Sequence, residues 1–70
     1  MNIEEMYKEL LDKLKNKEEV SNQEILEFIH EKKLRTSSEQ VVSVLTYKLP
    51  IYEYRNKDGK IAYKVMERAK

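Results

Sequence analysis

Six side chains able to hydrogen-bond, Thr36, Glu39, Gln40, Ser43, Thr46 and Tyr47, share one side of a helical wheel through residues 36–49. Val41, Val42, Leu45 and Leu49 share the other, with Val44 at its margin. The polar side is nearly free of charge in a chain that is 39% charged. Ser and Thr are mediocre formers of an exposed helix, so propensity does not account for them. Hydrogen bonding to a partner does, and plain solvent exposure is the alternative. A second group is cationic. The stretch "YRNKDGKIAYKV" (54–65) sets Arg55, Lys57 and Lys60 around Asp58-Gly59, a dipeptide that supplies the positive dihedrals of a tight hairpin turn. Such cations suit a polyanion; they also suit a sheet edge kept soluble by lysine.

Charge is unevenly distributed along the chain. Residues 1–31 hold four lysines against nine acids, and residues 32–70 hold ten Lys and Arg against four acids, although the whole carries only +1. The asymmetry points to a polyanionic partner for the second half.

The inventory does not suggest catalysis. Cysteine is absent and His30, between Glu27 and Glu31, is the sole histidine, whereas a zinc site usually needs four converging ligands. Gly59 is the one glycine, so there is no phosphate-cradling loop. No catalytic residue, metal or cofactor is expected. No apolar run approaches the roughly 18–20 residues of a membrane span, and no secretory signal opens the chain. The expected compartment is the cytoplasm. Glu4/Glu5 and Glu18/Glu19 read as helix-start and solvated loop charges. Tyr52, Tyr54 and Tyr63 read as core cover with wet hydroxyls, or as a stacking platform for single-stranded nucleic acid.

Four elements must position these groups within a single 70-residue domain. Ile3, Met6, Tyr7, Leu10, Leu11 and Leu14 form the stripe of an amphipathic helix over about 3–16, with Asn2 and Glu5 as its cap. Ser21 and Glu24 form a capping box for a second helix, about 22–33, with Val20 and Ile25 as a hydrophobic staple and Val20 as an isolated strand residue. Leu34 tucks under the following junction. A third helix, about 37–48, starts at Thr36/Glu39 or at Ser37/Gln40 and stops before Pro50. A hairpin occupies about 51–66. Binary patterning prefers a two-residue turn that pairs Tyr54 with Tyr63, Tyr52 with Val65 and Glu53 with Lys64. Tyr52, Tyr54, Ile61, Tyr63 and Val65 would then share a face. A longer turn with a bulge at Gly59 is the alternative, setting Glu53 and Arg55 among Ile51, Ile61 and Val65.

This order resembles the winged helix-turn-helix family across roughly residues 3–66. The resemblance rests on "VSNQEILEFI" entering helix 2, "TSSEQVVSVLTYKL" as recognition helix and "IYEYRNKDGKIAYKV" as wing. It implies an α+β, mostly α fold: three helices and a C-terminal two-stranded hairpin wing. The turn "EKKLRTSS" lacks the glycine that many members carry. The family's use of helix 3 in the major groove implies base-reading by Ser38, Glu39, Gln40, Ser43 and Tyr47. Gln suits adenine, Glu accepts from the cytosine amino group, and Ser reads several bases. Lys33, Arg35 and Lys48 would hold phosphates, and Arg55, Lys57 and Lys60 the backbone or minor groove. The implied function is sequence-specific double-stranded DNA binding by a stand-alone transcriptional regulator. A homodimer would form through helix 1 or the C-terminal "VMERAK". The rival is a winged helix that binds protein without DNA. Cations sharing a face with Gln40 and Ser43 favour DNA; scattered cations, or interruption by Glu39 and Glu53, favour a protein.

Overall fold

The apolar stripe of the first segment builds α1 (Ile3–Lys15), whose inner line of Met6, Leu10 and Leu14 is completely buried. This computed structural model describes residues 3–66, so the Asn2 cap and most of the C-terminal segment lie outside the described residues. α1 ends by turning left-handed at Lys17 (φ 66), with Lys17 N–H donating to Leu14 O and Glu18 N–H to Lys13 O. That pair of bonds satisfies carbonyls a helix end leaves open, and its left-handed position is usually glycine.

Val20 and Ser21 form β1, and Ser21 also caps α2 (Asn22–Glu31). Its Oγ accepts from Glu24 N–H at 3.0 Å. The Glu24 carboxylate does not complete the box by returning to Ser21; it takes Lys13 Nζ at 2.7 Å and ties α2 to α1. α2 stops two residues short of the expected 33, because Lys33 turns left-handed (φ 53). Lys33 N–H donates to His30 O and Leu34 N–H to Ile29 O, repeating the stop of α1. A lysine thus fills the place where the turn "EKKLRTSS" offers no glycine. Leu34 packs against the core beneath the turn.

α3 (Ser38–Lys48) takes Ser37 as its cap, with Ser37 Oγ accepting from Gln40 N–H at 3.2 Å. This decides the start: Thr36 Oγ1 is instead buried without a partner among the described residues. Val41 and Leu45 are fully buried, and Leu49 is extended ahead of Pro50.

β2 (Ile51–Arg55) and β3 (Ile61–Val65) form the hairpin in the other register. Ile51 faces Val65, Glu53 faces Tyr63, Tyr54 faces Ala62 and Arg55 faces Ile61. The preferred Tyr54–Tyr63, Tyr52–Val65 and Glu53–Lys64 pairs do not form. The loop chemistry explains why. Asn56 Oδ1 accepts from the N–H of Asp58 (2.9 Å) and of Lys60 (3.0 Å), Gly59 N–H returns to Asn56 O, and Gly59 alone takes φ 75. Asn56 through Gly59 is a turn closed by a glycine bulge, one residue longer than the Asp-Gly turn. Ile51, Ile61, Tyr63 and Val65 therefore face the core or pack against it, and Tyr52 and Tyr54 move to the outer side.

Among the described residues the sheet has three strands rather than two. β1 pairs antiparallel with β3, Val20 with Tyr63 and Ser21 with Ala62, giving the order β1-β3-β2. Helices and sheet close over Met6, Leu10, Leu14, Val20, Ile25, Val41, Leu45, Ile51 and Tyr63. The fold is α+β, mostly α, and winged-helix-like.

Candidate nucleic-acid interface

Burial of Val41 and Leu45 turns Gln40, Ser43, Thr46 and Tyr47 outward, and Tyr47 is 90% exposed. Thr46 turns its hydroxyl back onto Val42 O at 2.8 Å. The side chains of Gln40, Ser43 and Tyr47 have no hydrogen-bond partner among the described residues. They form a small, uncharged, unengaged surface.

Ser38 is not part of it. It is half-buried in a crevice shared with Asn22, Glu39, Val42, Glu53 and Tyr63, where the start of α3 meets the sheet. Glu39 is exposed at the same crevice, and the observed hairpin register brings Glu53 there too. Two carboxylates therefore lie between α3 and the hairpin.

The six cations divide. Among the described residues, Lys33 and Arg35 are exposed and unpaired in the α2–α3 turn, and Lys57 is exposed and unpaired at the hairpin tip. Lys48 lies apart, in a groove against α1 with Glu4, Tyr7, Lys8, Leu11, Asp12 and Lys15. Arg55 Nη1 donates to Gly59 O at 2.8 Å, bracing the loop. Lys60 Nζ donates to Gln23 Oε1 at 2.6 Å, tying the hairpin to α2.

The outer side of the sheet holds an arrangement that the sequence did not suggest. Tyr54 Oη donates to Glu19 Oε1 at 2.5 Å, and Asn56 Nδ2 donates to Glu19 Oε2 at 2.8 Å. The Tyr54 bond, then the Asn56 bond, holds the Glu19 carboxyl below its ordinary range. The same bond to Glu19, more than burial, pushes the Tyr54 phenol up to about 12. The Tyr52 and Tyr54 rings lie 5.5 Å apart at 38°, and Lys64 Nζ is 6.0 Å from the Tyr54 ring centre. Glu19 is thus half-buried and engaged, not a solvated loop charge. Its partners lie 35 and 37 residues away, beyond any local pattern. Tyr63 departs from the other two: it is buried on the inner side, and burial raises its phenol.

No group of three or more His, Cys, Asp or Glu suited to a metal occurs among the described residues, and none of their helices is long and apolar enough to cross a membrane. The chain matches no family model, no curated protein and no solved structure.

Proposed function

We propose that the chain is a sequence-specific double-stranded DNA-binding protein of the winged helix-turn-helix kind, acting in the cytoplasm as a stand-alone transcriptional regulator. The observation that carries this reading is the unengaged face of Gln40, Ser43 and Tyr47 on a helix whose other side is locked into the core. Gln40 offers a bidentate amide suited to adenine and Ser43 a hydroxyl that accepts or donates. Lys33 and Arg35 beside the start of α3, and Lys57 at the hairpin tip, supply cations that no carboxylate neutralises within the described residues. Arg55 and Lys60 shape the hairpin first and reach phosphate second.

A second reading, a protein-binding winged helix without DNA, meets both conditions set for it: the cations divide, with Lys48 against α1 and Arg55 and Lys60 engaged, and carboxylates interrupt the face. Glu39 and Glu53 in one crevice between α3 and the hairpin repel a phosphate backbone and suit a partner protein bearing Arg or Lys.

Fluorescence anisotropy with a random-sequence duplex at two salt concentrations separates the two. DNA binding predicts affinity that falls with salt, with a log–log slope of about −0.9 per phosphate contacted. Arg35→Ala with Lys57→Ala flattens the slope; Gln40→Ala with Ser43→Ala leaves it and removes only sequence preference. Absence of salt-sensitive binding at low ionic strength sinks the DNA reading in favour of the protein one.

A further inference from the structure

The groove between α1 and α3 collects five charged side chains, Glu4, Lys8, Asp12, Lys15 and Lys48, around the half-buried Tyr7 and Leu11. None of the five has an ion-pair or side-chain hydrogen-bond partner among the described residues. Along the axis of α1 the signs alternate, Glu4, Lys8, Asp12 and Lys15, with Glu4 near one end and Lys15 at the other. At about 1.5 Å per residue they stand roughly 16 Å apart.

We propose that this face of α1 docks against the same face of a second copy of the chain, the two α1 helices running antiparallel about a twofold axis. A twofold interface must be complementary to itself. With the axis near residues 9 and 10, Glu4 of each copy meets Lys15 of the other, and Lys8 approaches Asp12. Tyr7 and Leu11 of both copies meet at the centre. A parallel arrangement stacks Glu4 on Glu4 and Lys15 on Lys15, so charge selects the antiparallel one. The contact is short, because the 13-residue α1 is about 20 Å long. It falls below the ~800 Å² per partner of a standard interface, so the dimer is weak and sensitive to salt. This inference does not depend on the DNA reading, since α3 uses a different side for each.

Sedimentation velocity of the full chain, from micromolar to millimolar concentration at low and high salt, tests it. The wild type is expected to shift from monomer to dimer with concentration, less so at high salt. Lys15→Glu or Glu4→Lys weakens association roughly tenfold, because each dimer contains the pair twice. The double variant E4K/K15E restores the pairing with reversed sign and recovers association to near wild type. Circular dichroism confirms that each variant keeps its helices, and the milder Lys15→Gln and Glu4→Gln serve if a reversal unfolds α1. A monomer at every concentration, association indifferent to Lys15, or failure of the double variant to recover overturns the proposal.

Discussion

On the outer side of the sheet, Tyr54 donates its hydroxyl hydrogen to Glu19, Asn56 donates to the same carboxylate, and Lys64 lies by the Tyr54 ring. On the outer side of α3, the side chains of Gln40, Ser43 and Tyr47 find no such partner among the described residues. Both surfaces face water and carry tyrosine and hydrogen-bonding groups, yet the first closes on itself and the second stays open. The first set is satisfied within the chain, whereas the second is satisfied by water that a ligand can displace. Tyrosine therefore means different things at positions 54 and 47.

The sharpest way to break the comparison is to unseat α3 from within. Leu45 is completely buried, and Leu45→Ala should cost about 3 kcal/mol, a loss of transfer energy plus a cavity. That is a large share of the stability a small domain possesses, and urea unfolding followed by circular dichroism measures it. An unmoved midpoint would mean that α3 is not held by its inner side.

On the outer side, Gln40→Ala with Ser43→Ala should shift stability by less than about 0.5 kcal/mol. If α3 reads DNA, it should cost about 1–3 kcal/mol of discrimination between duplexes at each lost base contact. Paired melting and binding curves check both halves.

The closed surface predicts the reverse. Tyr54→Phe should lower stability only slightly, since the bond is charge-assisted yet screened by water, and leave DNA affinity unchanged. The effect also depends on pH. A phenol raised from 10.0 to about 12 on folding contributes stability that is whole below pH 10 and lost as pH rises through about 12. Glu19, lowered on folding, contributes above the ordinary carboxylate range and loses that contribution as pH falls below it. Stability–pH curves of wild type and Tyr54→Phe should therefore differ most between the ordinary carboxylate range and pH 10, and the difference should shrink on either side.

The smallest effect lies where the two kinds of residue meet. Lys33 holds a left-handed position, which costs a non-glycine residue about 1–2 kcal/mol, while glycine at that site would raise unfolded-state entropy by about 0.4–1 kcal/mol. Lys33→Gly should thus stabilise by a few tenths to about 1 kcal/mol. It should also reduce the salt slope of DNA binding by about one phosphate's worth. Thermal melts and the salt titration separate these opposite outcomes within one substitution.

Much of the fold was legible because it rests on local spacing. The α1 stripe, the Ser21 cap and the two-faced α3 each follow from residues within a few positions of one another. The hairpin register was not, because patterning counted Tyr52 and Tyr54 as apolar while a single Asn56 side chain fixed the turn. β1 is two residues long, too short for any period to show. In the candidate site, Gln40, Ser43 and Tyr47 were readable from the helical wheel. The fates of Arg55, Lys60 and Lys48 depended on which element packed beside each, and the sequence does not state that. The crevice joining Glu39 to Glu53 likewise appears only once the register is known.

Val20 and Ser21, paired to Tyr63 and Ala62, have a consequence for the order of assembly. β3 is the middle strand of the sheet and the last to be synthesised of the three. A nascent chain that has emerged only as far as Pro50 contains all three helices but no strand partner for Val20. The β1–β3 pairing must wait for the final strand, so the sheet can close only after all three helices have been made.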